Sequence, residues 1–437
     1  MLSIIIILSI ALAIFLGYRT KINTGLFCIV FAYIIGCFVM GLKPKQIIGF
    51  WPTSTMFVIL SVSLFYNFAA INGTLEKMSG ALLYACRNFP GLLPYALFAV
   101  AVILSVMGAT FFTVLAFLAP ITLVICDESR MDKLTGAVAI NCGALAGGNF
   151  PTSNLGVVFR GLSDTAYEAS PEIAAVDSFN MEMKIFAFAI FFSLILITIF
   201  RFGFKENRNI GKGVTFKKPE SFTKDQKTTL TLMMAMMAVV LIFPLLNILM
   251  PGNAAVKYIS GKVDVGLVAI IFTVIALLLK LAPQKEAIAK VPWNTIIMIA
   301  GAGMLIAVAV EAGTIEALST WIGSNVPKPL VPIAFCLVGA TMSFFSSTTG
   351  VVAPALFPLI PNLAASVGLS APVLFACTIL GAQSSAISPF SSGGSLILGS
   401  TPKEEERNEL FNRLLMVAVP ISVITCTIYN FVIAMVL

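Results

Sequence analysis

The residues best suited to holding a solute lie in two interrupted apolar stretches, one in each half of the chain. The first, residues 143–159, starts as an apolar helix, is interrupted between Gly147 and Pro151, and then becomes apolar again. The second, residues 388–395, reads Ser-Pro-Phe-Ser-Ser-Gly-Gly-Ser. The polar groups available to a solute at these breaks belong to Thr152, Ser153, Asn154, Ser391, Ser392, Gly393 and Ser395. Because non-helical backbone is tolerated at membrane depth only where protein buries it or a wet cavity adjoins it, we interpret the breaks as halves of one binding site.

The chemistry of such a break favours an anion. Gly147 and Gly148 permit backbone angles that other residues avoid, and Pro151 prevents continuous helical hydrogen bonding. The freed amides, together with the positive end of the helix that follows, then suit a negatively charged group. One break alone could equally be a kink whose hydroxyls satisfy the backbone. Two breaks at corresponding places in the chain favour binding.

Two longer apolar segments each carry small polar residues at their middle. They span about residues 91–127, with Gly108-Ala-Thr110, and about residues 330–363, with Ser346-Ser-Thr-Thr-Gly350. Each segment could be two ordinary spans or one re-entrant hairpin whose polar tip ends at mid-membrane. Small residues also serve ordinary helix packing, so the tips are weaker signals than the breaks. We prefer hairpins, because they leave five spans in each half, and an odd number inverts the second half relative to the first.

The two halves of the sequence repeat. The segment from Thr55 matches that from Thr295 at an offset of 240 positions (295 − 55), and the hairpin segments match at 238, with Thr110 opposite Thr348 (348 − 110). The sequence therefore predicts three parts. They are a first repeat over 1–204 with its broken helix at about 134–162, a linker over 205–227, and a second repeat over 228–437 with its broken helix at about 372–399.

Composition indicates an integral membrane protein. Of the 437 residues, 59% are hydrophobic and 11% charged, against roughly a quarter charged in soluble domains. The eight cysteines are scattered singly and there is no histidine, which argues against disulfide frameworks and the usual metal motifs. The apolar start of the chain lacks a basic region and a cleavage site, so we expect it to be the first span and not a signal peptide. The predicted fold is all-α, with two inverted repeats of five transmembrane helices, each containing a re-entrant hairpin and a broken helix.

The net charge of +7 is interpreted as membrane orientation and not as nucleic-acid binding. If the linker is cytoplasmic and there are ten spans, seven of the 27 basic residues lie outside and 20 inside (27 − 7), as the positive-inside rule requires. The seven are Lys43, Lys45, Arg160, Lys184, Lys257, Lys262 and Lys328. The loop after the first break carries five carboxylates, the last being Glu182, which fits an exterior face. We therefore expect a multi-pass protein of the inner (plasma) membrane with both termini outside.

Charge within the predicted spans is nearly absent, and this bears on the coupling ion. Proton-coupled carriers use intramembrane carboxylates or histidines, and here Glu311, at a span end, is the one candidate. Glu76 and Glu316 each follow Gly-Thr at a helix start, where a carboxylate beside a threonine cap is ordinary. We therefore expect Na⁺, held by carbonyls of the breaks and by Ser, Thr and Asn oxygens, and no other cofactor.

The arrangement resembles the ion transporter superfamily, and within it the divalent anion/sodium symporters. Residues 72–76, Asn-Gly-Thr-Leu-Glu, and residues 147–154, Gly-Gly-Asn-Phe-Pro-Thr-Ser-Asn, are similar to the malonate/dicarboxylate (MatC-type) carrier family. The architectural likeness covers nearly the whole chain, and the motif likeness covers about four short stretches. The resemblance implies Na⁺-coupled symport of a small dicarboxylate, malonate or a C4 acid, by elevator-type movement of the hairpins and broken helices.

The resemblance also implies where substrate and sodium bind. Substrate carboxylates are expected at the hairpin tips and breaks, at Thr110, Ser347, Thr348, Asn154 and Ser395. Sodium is expected beside each tip and its facing break, at Gly108, Gly148, Asn149, Ser346 and Ser388. Gly108 and Ala109 lack the side-chain oxygens of the family's Ser-Asn-Thr tip, so the first sodium site departs from the family pattern.

Other functions remain open on the sequence. The chain could be the membrane subunit of a binding-protein-dependent carrier, or a cation/proton or oxyanion transporter of the same superfamily. An enzyme is not expected, because the spans carry no cluster of His, Asp or Glu that intramembrane catalysis would need. The expected partners are a small anionic solute, membrane lipid and a second copy of the chain in a homodimer. Nucleic acid is not among them.

Overall fold

The computed structural model describes residues 2–20, 22–85, 90–204, 207, 220–250, 253–260, 262–344, 347–401 and 403–436. Within these residues every regular element is a helix. The helices of the first half are α1 (Leu2–Thr20), α2 (Thr24–Tyr33), α3 (Pro44–Gly49), α4 (Thr53–Ile71), α5 (Thr74–Ala85), α6 (Leu93–Val106), α7 (Phe111–Ser129), α8 (Lys133–Gly148), α9 (Asn154–Glu168) and α10 (Ser178–Gly203).

The helices of the second half are α11 (Lys224–Leu249), α12 (Ala254–Ser260), α13 (Val265–Leu278), α14 (Gln284–Ala289), α15 (Trp293–Glu311), α16 (Thr314–Asn325), α17 (Val331–Ser343), α18 (Ala353–Leu356), α19 (Ile360–Val367), α20 (Ala371–Ser384), α21 (Ser392–Gly399), α22 (Glu404–Arg413) and α23 (Val419–Val436). A π-helical turn, Thr348–Val352, and a 3₁₀ turn, Phe357–Leu359, join α18 and α19 into one helical stretch. Most of the linker 205–227 lies outside the described residues.

The order of helices in the first half recurs in the second. Helix α4 starts 240 positions before α15 (293 − 53), and α6 and α8 start 238 positions before α17 and α20 (331 − 93, 371 − 133). Local signals recur as well. The side chains of Asn23 and Asp264 cap α2 and α13 by accepting backbone amide hydrogens, and Gly73 and Gly313 adopt positive φ angles of 75° and 66° where α4 and α15 end.

Three described helical stretches are long and apolar enough to cross a membrane: Ser178–Gly203, Thr348–Val367 and Glu404–Val436. Shorter apolar helices surround them. The first arms of the two expected hairpins, α6 and α17, have 14 and 13 residues, fewer than the roughly 20 that a membrane-spanning helix needs. A turn over residues 107–110 joins α6 to α7, and Gly108 in this turn has a φ of +93°.

Helices pack both within and across the halves. Across the halves, α2 packs on α15 and α13 packs on α4. Within each half, α6 packs on α8 and α17 packs on α20. The close approaches use glycine. A Cβ on Gly143 or Gly381 would overlap the backbone carbonyl of Phe98 or Cys336, and these two contacts occupy equivalent positions in the halves.

Gly147 has the same packing role, which corrects one sequence expectation. The interruption was expected to include Gly147 and Gly148, but α8 continues through both. A Cβ on Gly147 would overlap the backbone of Val102 in α6. These glycines are therefore helical, and the first break covers residues 149–153. The second break covers residues 385–391, so that Ser392, Gly393 and Ser395 already belong to α21.

The crossing of α2 and α15 provides a test of the packing across the halves. A Cβ on Gly301 would overlap the backbone of Gly25, so Gly301→Ala should force the helices apart and lower the free energy of unfolding by about 1–3 kcal/mol. Thermal unfolding of the purified protein in detergent measures this. Gly203→Ala is the control, because nothing lies within 4 Å of its added Cβ. Equal melting temperatures for the two variants would contradict the crossing.

Candidate functional site

A cavity of about 440 Å³ lies where the starts of four helical segments meet. Thr110 caps α7, Asn154 is the first residue of α9, and Ser391 immediately precedes α21. Ser347 precedes the helical stretch Thr348–Val367. All four residues line the cavity. Because a helix start carries partial positive charge and unpaired amides, four such starts around one cavity favour a negatively charged occupant.

The remaining lining includes polar, aliphatic and aromatic residues. Phe111, Phe112 and Phe117 of α7 supply the aromatic surface. Among the described lining residues the only charged one is Lys290, an exposed residue directly after α14. The cavity therefore contains one positive charge and no carboxylate among its described lining residues, which suits an anionic solute.

The two breaks have the same internal hydrogen bonds. The hydroxyl of Ser153 donates to the carbonyls of Gly148 and Phe150. The hydroxyl of Ser391, 238 positions later (391 − 153), donates to the carbonyls of Ala386 and Ser388. Each serine hydroxyl thus shares its one hydrogen between two carbonyls of its break, as buried backbone in an apolar body requires.

This use of the serine hydroxyls leaves two helix starts without a side-chain cap. Ser153 and Ser391 stand at the N-cap positions of α9 and α21, yet in the described structure neither side chain accepts a hydrogen bond from a first-turn amide. By contrast, Thr110 accepts from the amide of Thr113 at 3.2 Å, and Ser347 accepts from the amide of Gly350 at 3.0 Å. The amides at the starts of α9 and α21 are therefore the ones best placed to bind a ligand.

A reciprocal pair of amide side chains joins the two broken helices. The Nδ2 of Asn149 donates to the Oε1 of Gln383 at 3.0 Å, and the Nε2 of Gln383 donates to the Oδ1 of Asn149 at 2.8 Å. Asn149 is fully buried in the first break, whereas Gln383 lies in the last turn of α20 and borders the cavity. The pair holds the first break against the helix that leads into the second.

The structure brings together six of the residues expected to contact substrate. Those that line the cavity are Thr110, Asn154, Ser347, Thr348, Ser391 and Gly393. Thr152 and Ser153 are buried in the first break and do not line it. Ser395 lies one turn inside α21 and is exposed. The equivalent of Asn154 by the 238-residue offset is Ser392, at the start of α21, whose side chain is outside the described residues.

The residues expected to bind sodium are distributed differently. Gly108 packs against the ring of Tyr66, and the Gly148 carbonyl accepts from Ser153. The Asn149 amide is paired with Gln383, and the Ser388 hydroxyl accepts from the Phe390 amide at 3.2 Å. Ser346 lies outside the described residues. These positions adjoin the breaks and the first tip, but most of their polar groups are already hydrogen-bonded.

Several cavity residues were not anticipated from the sequence. They are Asn67, Thr113, Lys290, Ser343, Thr349 and Gln383. Ser343 had a usable signal, because it recurs opposite Ser105 at the 238-residue offset. Lys290 had none, because it belongs to a short polar segment far from both breaks in sequence. A hydrogen bond from Asn67 places Lys290 at the cavity. The Asn67 side chain donates to the carbonyl of Ala287 in α14 at 3.0 Å, which fixes α14 beside α4.

A second cavity, of about 660 Å³, is lined by equivalent positions of the other half. Asn67, Ala70 and Ala116 of the first cavity correspond to Ala307, Val310 and Pro354 of the second, at offsets of 240, 240 and 238. The second cavity is lined by charged residues of both signs, which are Arg160, Asp164, Glu168, Asp264 and Glu311. Helix α9 contributes Val158 to the first cavity and Val157 to the second, and so separates the two.

The amide pair provides a test of how the breaks are held. Gln383→Ala should lower the free energy of unfolding by about 1–3 kcal/mol, because it leaves the buried side-chain amide of Asn149 without its hydrogen-bond partner. Asn149→Ala should lower the free energy of unfolding by less than Gln383→Ala, because the remaining Gln383 side chain borders the cavity and can bind water. The double variant should cost less than the sum of the two single changes. Thermal unfolding in detergent checks this, with exposed Gln284→Ala as control. Additive losses would mean that the two amides do not act as a pair.

Comparison with known proteins gives two family matches and several similar structures. Residues 1–148 match the model of the dicarboxylate carrier protein MatC N-terminus, and residues 255–435 match that of the citrate transporter family. No curated protein sequence matches the chain.

The solved structures share the fold at low sequence identity. The YdaH transporter of Alcanivorax borkumensis is 15% identical, with a TM-score of 0.62 over 89% of this chain and 87% of that one. MtrF of Neisseria gonorrhoeae, described among a class of antimetabolite efflux pumps, is 13% identical, with a TM-score of 0.62 over 93% of this chain and 84% of that one. The two family matches and the apolar helices together support a membrane-embedded secondary transporter, in which residues 1–148 are similar to the N-terminus of dicarboxylate carriers and residues 255–435 are similar to citrate transporters.

Proposed function

We propose that the protein imports a small dicarboxylate, malonate or a C4 acid, by Na⁺-coupled symport. The observation that carries this proposal is the cavity in which four helix starts and Lys290 meet, with no carboxylate among the lining residues that the structure describes. Its volume of about 440 Å³ lies in the usual range of small-molecule sites, roughly 300–1,000 Å³. The names of both matching families, dicarboxylate carrier and citrate transporter, support a di- or tricarboxylate as the transported anion.

The two carboxylates of the substrate have separate places to bind. One carboxylate would lie at the start of α9 and accept hydrogen bonds from the uncapped backbone amides and from the side chain of Asn154. The other would lie at the start of α21 and accept hydrogen bonds from the backbone amides near Gly393. Thr110, Ser347 and Thr348 from the two tips add hydroxyl groups. Charge-assisted hydrogen bonds of this kind are stronger than neutral ones.

Sodium would bind beside these groups, where the breaks present carbonyl oxygens. The candidate positions are still Gly108, Gly148, Asn149, Ser346 and Ser388. Because the Asn149 side chain is paired with Gln383, its contribution to an ion would be its backbone carbonyl. A cation next to a bound dicarboxylate offsets its charge, which is the physical reason for coupling the two.

The inverted repeat and the elevator movement belong to the same proposal. The equivalent lining of the two cavities supports alternate opening to the two sides of the membrane, and the short arms α6 and α17 support re-entrant hairpins. With the linker in the cytoplasm, Lys290 lies on the cytoplasmic side, so this conformation faces inward, and both termini lie outside an inner (plasma) membrane. A homodimer would anchor the helices that do not move.

Uptake into proteoliposomes tests the substrate and the ion. The purified chain should accumulate labelled malonate or succinate when sodium is high outside, and should do so much less with potassium in its place. Uptake that appears only after a soluble solute-binding protein is added would instead assign the chain to a binding-protein-dependent carrier. Uptake indifferent to the solute and to sodium would contradict the proposal.

Lys290 tests the electrostatics of the cavity. Lys290→Gln should raise the KM for the dicarboxylate by about threefold to tenfold, because a solvent-exposed charge pair contributes roughly 1 kcal/mol to binding. Its effect should shrink as ionic strength rises. Lys285→Gln is the matched control, because Lys285 is exposed in α14, the short helix that Lys290 follows, and does not line the cavity. Equal KM values for the two variants would remove Lys290 from the binding site.

A further inference from the structure

Glu182 is a buried carboxylate that the transport site does not use. It lies in the second turn of α10, a helix of 26 residues that is long and apolar enough to cross a membrane. Its exposed fraction is 0%. Among the described residues, neither Oε1 nor Oε2 has a hydrogen-bond partner. The sequence predicts Glu182 to be the last carboxylate of an exterior loop, and the structure instead places it inside the protein.

The surroundings of Glu182 make its ionised form costly. An isolated carboxylate removed from water loses its hydration, and a protein ordinarily compensates with hydrogen bonds or an ion pair. Within the described residues the salt bridges lie elsewhere and do not include Glu182. The uncharged acid is therefore the stable form in this conformation, and ionisation requires a new partner.

The charged groups near Glu182 come from few elements. Helix α9 contributes Arg160 and Asp164, and α10 itself contributes exposed Lys184. Asp177 caps the start of α10. Of the other helices packed on α10, α20, α23 and α6 contain no Asp, Glu, Lys or Arg, and α8 has only Lys133 at its far end. Arg160 is the charged group that acts on Glu182.

Arg160 connects Glu182 to the first break. Its Nη1 donates to the carbonyl of Pro151 at 3.2 Å, while its Nε has no hydrogen-bond partner among the described residues. Its guanidinium lies 5.3 Å from the ring centre of Phe179, one turn before Glu182. Arg160 also lines the second cavity. One guanidinium thus contacts a break carbonyl and packs on the turn of α10 that precedes the buried carboxylate.

We propose that Glu182 is a proton-binding site whose occupancy is coupled through Arg160 to the first break. With the proton bound, Glu182 is a neutral acid and Arg160 holds the Pro151 carbonyl. In this protonated state the first break keeps its shape and carries the solute across. When the proton leaves an Oε atom through the second cavity, the carboxylate attracts Arg160, which releases Pro151 and loosens the break around the solute. The step transfers one proton and changes no other covalent bond. A proton therefore accompanies the solute through each transport cycle, in addition to sodium.

The proton site and its coupling to transport are tested separately, because only the coupling rests on the proposed function. Infrared difference spectra of the purified chain, between acidic and alkaline buffer, should contain a carbonyl band of a buried carboxylic acid. Glu182→Gln should remove that band, and Glu172→Gln should keep it, because Glu172 is an exposed loop carboxylate. Identical spectra for wild type and Glu182→Gln would overturn the proton site, whatever the chain transports.

Proteoliposomes that enclose the pH-sensitive dye pyranine test the coupling. Malonate added outside should acidify the lumen for the wild type and for Glu172→Gln. Glu182→Gln should retain exchange of labelled for unlabelled malonate and lose the acidification. Undiminished acidification with Glu182→Gln would overturn the coupling. An infrared band at Glu182 without any dicarboxylate transport by the wild type would leave the proton site standing and reject the proposed function.

A second variant applies if Glu182→Gln does not fold. Glu182→Asp keeps a carboxylate but moves it by one methylene, so the pH at which malonate-driven acidification is half-maximal should shift. Glu172→Asp should leave that pH unchanged. The same pH for wild type and Glu182→Asp would overturn the proposal.

Discussion

The structure depends on one constraint, which is that backbone groups freed by a helix break inside an apolar body must find partners within the protein. Both breaks meet it in the same way, with the hydroxyls of Ser153 and Ser391 turned back onto carbonyls of the break. A serine at an N-cap ordinarily serves the helix that follows. Here that helix is left uncapped, so the requirement that stabilises each break also leaves amides available to an anion.

Helices pack both within each half and between the halves. In each half the helix before the polar tip, α6 or α17, packs on the helix before the break, α8 or α20, through the contacts of Gly143 with Phe98 and of Gly381 with Cys336. The pairs α2 with α15 and α4 with α13 instead join one half to the other. Asn149 and Gln383 tie the two broken helices together.

Charge is distributed unequally between the two cavities. The first has Lys290 as its only charged residue among the described lining, whereas the second contains four carboxylates and Arg160. Glu311, the one titratable candidate for exchange in the sequence, lines the second cavity and is exposed. Glu182, which the sequence placed in a loop, is a buried carboxylate. A charge count along the chain reports which side of a membrane a segment faces but does not report desolvation.

The sequence by itself determined the helical membrane class, the internal repeat and the location of both breaks. The signals used are local: the length of hydrophobic runs, recurring Gly-Thr and Ser-Thr motifs, and Pro and Gly within apolar stretches. They sufficed to predict six residues that line the first cavity, which are Thr110, Asn154, Ser347, Thr348, Ser391 and Gly393. Only the tertiary structure decided that Gly147 packs a helix, that Ser395 lies off the cavity, and that Lys290 and Gln383 reach it. The physical reason is that these roles depend on which helix lies opposite. A contact between residues far apart in the chain produces no recognisable pattern in the sequence around either residue.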